Sequence, residues 1–439
     1  MVPKHLWSGF RQKIANELHR RALLRLSSPV RITSISVHTE GYAENHDILG
    51  SLCDYLSIPR PADDHTTYHA LFGRENNLGL KFESHREFAT FQFIRGKKDG
   101  EGLFETKQTC EVPDMWFHSL KNVISCLSIE AVETASLGDI DGDPKPILEA
   151  FQENYVLGST LSNGKGRVYS DFRIDGRGYH RILVLNGGAN GSLNGLQLGR
   201  SVQRLVDVEA YSSMAKMGMF TGRTLCEKLD KIGGELIDIN KQLEEKEKEK
   251  LDAFSFRLFE ISNKVHTMNN ENRFRFQASN SYFPIVIERL QDLKLDSTVS
   301  FEPYDVFILS RLMPAMRTTE AAELRMDNTL DQVNKTATLI QTAVELEVKD
   351  TNNKLLESMN RKTDVQIKLQ KTVEGLSAVI LTYYSVGLLG TMIRGVSGVG
   401  FLPETIHIDA LSAISVAPIG LFYYVKVRQK LIESENVKE

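Results

Sequence analysis

Cysteine is scarce in this chain, tryptophan scarcer still, and neither sign of charge dominates. Its four cysteines are Cys53, Cys110, Cys126 and Cys226, and none belongs to a C-x-x-C pair. That spacing argues against a zinc ribbon or a thioredoxin-type motif. Spread over 439 residues, they fit reduced, buried thiols in a cytosolic compartment. Aromatic residues make up 8% of the chain and the net charge is −4. The first leaves little for base-stacking platforms and the second gives no global pull toward polyanions, so nucleic acid is not an expected partner. The opening stretch MVPKHLWSGFRQKIANELHRR holds no apolar run of signal-peptide length. The bulk of the protein is therefore expected to remain unexported. H-E-x-x-H and G-x-S-x-G are both absent, which removes two familiar hydrolase signatures.

Two long apolar runs stand near the other end. Val373 to Ile393 carries one charge, Glu374, at its edge, and Ile408 to Val425 carries Asp409 at its edge. Crossing the ~30 Å hydrocarbon layer takes roughly 20 apolar residues in a helix. The first run meets that length and the second comes close, which predicts two transmembrane helices. Arg361, Lys362, Lys368 and Lys371 precede the first run, and Lys426, Arg428 and Lys430 follow the second, while the loop between holds only Arg394. The positive flanks place both chain ends on the cytoplasmic side. Tyr423 and Tyr424 fall where an interfacial aromatic belt would lie. Gly387 and Thr391, and Ala413 and Ala417, form small-xxx-small pairs suited to helix packing. Ser377, Tyr384, Gly387 and Thr391 share one face of the first span. That stripe suits helix–helix contact first, and the lining of a pore in a homo-oligomer second.

From about Glu320 to Thr372 there is neither proline nor glycine. Met326, Leu330, Val333, Ala337, Ile340, Val344 and Val348 keep a 3-4 alternation, the seam of a long packed helix. A second helical region spans about Leu198 to Leu295. Gly233–Gly234 is expected to bend or break it, and the run EEKEKEK is read as a solvated helix end. In the N-terminal half, strand-like stretches (30–37, 67–72, 78–84, 88–94, 127–135, 167–174 and 179–186) alternate with turn signals and with helical pieces at 45–56 and 144–151.

The expected fold is thus an α/β or α+β N-terminal domain, a long helical stalk and two C-terminal transmembrane helices. By residue, the domain covers 1–195, a helical region 196–310 and the stalk helix 311–372. The first span is 373–393, a short non-cytoplasmic loop 394–407, the second span 408–425, and a basic cytoplasmic tail 426–439.

Three motifs invite chemistry. LNGGANGSLNG (185–195) lies between a strand and a helix but lacks the spacing of a nucleotide cradle, so it reads as a flexible connection. DIDGDP (139–144) opens like a calcium loop, yet Pro144 and Ala150 occupy positions that need Gly and Glu, leaving an acidic turn. LKFESHREFATFQF (80–93) packs Glu83, His85, Arg86 and Glu87 between two alternating strands. Those four side chains would bind a metal or an anion, or form a charged hairpin with paired side chains, the second being favoured. Glu17 and His19 raise the same question.

Several segments together resemble a proteobacterial family of uncharacterised membrane-anchored proteins with a domain of unknown function. The matching stretches are NELHRRALLRLSSPVRI (16–32), LKFESHREFATFQF (80–93), YSDFRIDGRGYHRILVL (169–185), LGRSVQRLVDVEAY (198–211), NRFRFQASNSYFPIVIERLQDL (272–293), LSRLMPAMRTTEA (309–321) and the segment 355–390. This resemblance implies anchoring in the bacterial inner membrane and carries no activity with it. The order of domain, stalk, two spans and basic tail is also distantly similar to CorA-type magnesium channels, with GFLPE (400–404) and LFYYVKVRQKL (421–431) resembling that superfamily's loop and tail. Its Gly-Met-Asn motif is replaced here by LGTMIRG. The likeness implies a homo-oligomer in the lipid bilayer and a divalent cation as the species handled, with Glu404 as a pore-mouth ring. The alternative is a non-conducting, membrane-tethered structural or interaction protein. An enzyme is the least expected of the three classes.

Overall fold

A computed structural model of the chain describes residues 11, 24–61, 66–72, 78–98, 100–104, 112–138, 140, 142–244, 251–397, 414, 416–426 and 428–429. It divides into two compact units, one built from residues up to Lys246 together with Asp252–Ala337, the other from Glu247–Leu251 and Thr338 onward.

The first unit holds a nine-stranded sheet in the order β2-β3-β4-β1-β5-β8-β7-β6-β9. The strands are β1 (Val30–His38), β2 (Thr67–Phe72), β3 (Leu78–Ser84), β4 (Phe88–Gly96), β5 (Val123–Glu133), β6 (Leu157–Leu161), β7 (Gly166–Ile174), β8 (His180–Asn186) and β9 (Asp296–Ser297). β5 and β8 pair in parallel and every other pair is antiparallel. Among the described residues, three short α-helices lie between strands, α1 (Tyr42–Leu56), α2 (Asp114–Ser119) and α3 (Lys145–Ala150), with a 3-10 turn at Thr134–Leu137. Three long ones follow: α4 (Gly195–Glu244), α5 (Leu251–Leu293) and α6 (Tyr304–Ser397). The fold is mixed α/β, a sheet domain and then long helices.

Period-2 alternation sends successive side chains to opposite faces of the sheet. On one face Ile32, Phe88, Ile129 and Val184 pack against Val202, Leu205 and Val206 of α4. On the other, Ile35, Phe82, Phe91 and Phe93 cover α1 through Leu49 and Leu52 and α2 through Trp116. Further along that face Leu183 and Leu185 meet Ile147 and Phe151 around α3. Both faces are therefore buried.

A reciprocal capping box opens α4. The Asn194 side chain accepts from the Gln197 amide at 3.0 Å and the Gln197 side chain accepts from the Asn194 amide at 3.1 Å. Helices α4 and α5 run antiparallel: Gly218 lies beside Ser279 and Asp238 pairs with Arg257 at 3.2 Å. Helices α4 and α6 run parallel: Gly222 faces Ala322 and Asn240 accepts from Thr336 at 3.1 Å. Two expectations change here. Helix α4 continues through Gly233–Gly234 without a break. The seam of α6 follows Ala322, Met326, Thr329, Val333 and Thr336, all buried, so threonines stand where Leu330 and Ala337 were expected. Thr329 donates to the Arg325 carbonyl at 2.8 Å, which lets a polar residue sit in an apolar row.

In the second unit α6 runs on as helix to Ser397, through the first apolar run. Among the described residues it is one helix long and apolar enough to cross a membrane, and its 18-residue apolar stretch is wholly unburied. The second expected span is described only at 414 and 416–425, where it is helical. The rest of that run lies outside the described residues. Within this unit the two apolar helices meet. Thr382 packs on Gly420, and the Ser385 and Tyr423 hydroxyls are 3.2 Å apart.

Candidate functional site

The polar residues of β3 and β4 do not face water. Registry sets Ser34, Gln92 and Lys81 in one cross-strand row and Ser36, Thr90 and Glu83 in the next. Helix α4 covers both rows and supplies Gln203 and Asp207. The Lys81 ammonium holds Glu83 at 3.0 Å and also donates to the Gln203 side-chain carbonyl. Gln92 donates to that same carbonyl at 2.9 Å. The Gln203 amide then donates to Glu83 and to Asp207, each at 2.7 Å. Arg289 of α5 closes the chain on Asp207 at 2.9 Å. One cation and two carboxylates thus share one glutamine, and Arg289 makes the cluster internally neutral.

The two carboxylates respond differently. Burial pushes Glu83 up, but Lys81, His85 and the hydrogen bonds outweigh it and leave Glu83 below its usual range. Burial also pushes Asp207 up, and the nearby Glu83 charge adds to this against Gln203 and Arg289, so Asp207 titrates at about 6. A carboxyl poised there changes charge near neutral pH.

The other members of the sequence cluster sit in the β3–β4 turn. Asn45 of α1 anchors that turn by donating to Ser84 at 2.8 Å and to the His85 carbonyl at 2.7 Å. His85 stacks on Phe88 at 4.1 Å between centroids and meets Tyr211 edge-on. Arg86 lies 5.1 Å over the Phe274 ring. Glu87 pairs with Arg275 of α5 at 2.6 Å. Burial first, and the Glu87 charge second, raise the Tyr282 hydroxyl there to about 12. Glu83 and Glu87 are therefore each engaged by a different cation. Among the described residues, no group of three or more His, Cys, Asp or Glu side chains is placed to hold a metal ion.

A second, partly buried pair was not legible from the motifs. The His180 ring at the start of β8 donates through Nδ1 to Glu209 of α4 at 3.0 Å. The Glu209 hydrogen bond raises the His180 pKa against the opposing effect of burial. Burial pushes Glu209 up, yet the His180 hydrogen bond and charge prevail and lower it. Helical spacing alone would have put Gln203, Asp207 and Glu209 on the early turns of α4; nothing local marks Arg289 or His180 as their partners.

The connection LNGGANGSLNG is tied down rather than loose: Asn186 accepts from the Leu193 amide at 2.8 Å and Thr134 donates to the Gly187 carbonyl. In the acidic turn, Asp143 accepts from the Lys145 amide at 3.0 Å. Glu17, His19 and Glu404 lie outside the described residues.

In the first apolar run, the face toward the second helix carries Gly375, Ala378, Thr382 and Val386. At 100° per residue Ser377, Tyr384, Gly387 and Thr391 fall on the opposite side. Ser377 donates to the Val373 carbonyl at 2.8 Å and Thr391 to the Gly387 carbonyl at 3.1 Å.

The comparison with family models settles one point. Residues 8–431 match the family described as Protein of unknown function (DUF3422). The chain belongs to that family. Among curated proteins none matches significantly. Membership in DUF3422 thus covers the sheet domain, the long helices and both apolar runs, and it assigns no reaction to any of the residues above.

Proposed function

We propose that this DUF3422 protein is a membrane-anchored protein of the bacterial inner membrane. Residues 373–393 and 408–425 lie in lipid, and the sheet domain and basic tail stand on the cytoplasmic side. The observation that carries this reading is the exposure of the first apolar run. Leu376, Val379, Leu388 and Met392 are each more than 60% exposed. Each such side chain forgoes roughly 1.5–3 kcal/mol by staying in water, so a helix of them needs an apolar surrounding. The Ser377 and Thr391 hydroxyls of the opposite stripe bond back to their own helix, which removes the cost of placing them in hydrocarbon. The Lys and Arg flanks set the orientation. The role that fits is that of a tether or interaction scaffold, with the sheet domain presented to soluble partners. No catalytic step is assigned to it.

The second reading is a CorA-like homo-oligomer that passes a cation. One observation favours it: the Ser377, Tyr384, Gly387 and Thr391 stripe faces away from the second apolar helix, which leaves it for another copy. Flux assays on proteoliposomes holding the assembled oligomer separate the two. The tether reading predicts no flux of mono- or divalent cations above protein-free vesicles. Saturable flux that a Thr391→Leu variant abolishes would establish the channel reading instead.

A further inference from the structure

A cavity of 260 Å³ lies in the first unit where the end of β7, the start of β8, α4 and the first turns of α6 converge. Sequence explains its shape. The β7–β8 register slips between Ser170 and Ile174. Within that slip Phe172 takes a left-handed φ of 47°. Such a bulge re-aims a side chain, and here the Phe172 ring stacks on Phe307 at 4.9 Å to form an apolar wall. Leu312 extends the wall.

The polar side is unbalanced. His180 and Glu209 satisfy each other at 3.0 Å. Lys216 also lines the space, and among the described residues no carboxylate pairs with it. Arg311 lies flat on Phe307, 3.4 Å from the ring centroid, and spends one terminal nitrogen on the Phe307 carbonyl and Ser310. Its remaining N–H groups are free to fork a planar acceptor. Ser212, 5% exposed, borders the cavity with its backbone side, its hydroxyl being buried away from it. Lys216 and Arg311 face one carboxylate, Glu209, which is already bonded to His180, so the lining carries surplus positive charge that an anion would balance.

We propose that this cavity binds a small organic carboxylate, its head held by Lys216 and Arg311 and its apolar part against Phe172, Phe307 and Leu312. The volume limits the ligand to roughly ten heavy atoms, at the lower edge of ligand pockets. Glu209 in the lining opposes a second negative charge, which favours a carboxylate over a phosphate dianion.

The test is calorimetric titration of the full-length chain in non-ionic detergent with butyrate, benzoate, inorganic phosphate and, as control, chloride at equal ionic strength. The expected result is saturable binding of butyrate or benzoate, weakened about tenfold by Lys216→Met and by Arg311→Gln, as loss of a charge-assisted hydrogen bond requires. Arg311 is exposed, so its variant keeps the fold even where Lys216→Met fails to. Binding of phosphate without either carboxylate overturns the ligand class. Absence of saturable binding by all three anions, or binding that Arg311→Gln leaves unchanged, overturns the site.

Discussion

At the scale of single residues, the sheet–helix interface concentrates charge in a place where apolar packing would have served. Its members are paired across four elements, β3, β4, α4 and α5, so each substitution leaves a partner stranded. Asp207 is the member that titrates near neutrality, at about 6. Its pKa lies above the unfolded carboxylate value, so folding favours the protonated form. Stability from this group is present at low pH and is lost as pH rises from about 4 to about 6. An Asp207→Asn variant removes that dependence. Denaturant midpoints of wild type minus variant should therefore fall across this window and stay flat above it; a difference independent of pH would exclude Asp207 as the titrating group.

His180 carries the opposite case of a cation stabilised by its partner. Because the Glu209 hydrogen bond raises its pKa, the stabilisation is complete below about pH 6.5 and fades as pH climbs through the folded value. Glu209→Gln should lower the His180 titration midpoint, read by NMR of the imidazole ring. An unchanged midpoint would mean that Glu209 is not the cause.

At the scale of elements, two glycines in one helix make a controlled comparison. A Cβ at Gly218 would stand 2.6 Å from the Ser279 hydroxyl and 2.9 Å from a Thr319 methyl. Overpacking of this kind costs about 1–3 kcal/mol, more than the ~1 kcal/mol gained by replacing a helical glycine with alanine. A Cβ at Gly233 meets nothing within 4 Å, so only the gain of about 0.5–1 kcal/mol remains there. Urea unfolding should show Gly218→Ala destabilised and Gly233→Ala stabilised. The reverse order would contradict the packing of α4 between α5 and α6.

The same elements show what the sequence discloses. Alternation places strands at residues 30–37, 67–72, 78–84 and 88–94 because one set of alternate residues is aromatic or branched. The identical pattern misleads about the other face. Lys81, Glu83 and Gln92 look like a solvated side, and only the long-range arrival of Gln203 shows them to be covered. Strand β6, LGSTL, is buried at nearly every position and so has no alternation to read. Hydropathy favours Leu330 and Ala337 over Thr329 and Thr336 because it cannot tell that a threonine satisfied by its own helix, as Thr329 is, or by Asn240, as Thr336 is, packs like an apolar residue. Of the candidate site, the charged turn 83–87 was visible locally. Its partners Asp207, Arg275 and Arg289 belong to helices more than a hundred residues away, and no short-range signal joins them.

At the scale of the whole molecule, the proposal makes a topological demand. On that proposal a cysteine placed at Val399 would lie outside the cytoplasm and one at Lys430 inside it. A membrane-impermeant maleimide applied to intact spheroplasts should label Val399→Cys and spare Lys430→Cys until the cells are permeabilised. Equal labelling of both would refute a hairpin with cytoplasmic ends.

The most direct measurement asks whether the apolar runs are in lipid at all. Membranes from cells expressing the full-length chain are washed with alkaline carbonate and then extracted with detergent. The account predicts that the protein stays in the pellet through the wash and is released only by detergent. Recovery of a monodisperse, detergent-free protein in the aqueous supernatant would contradict it.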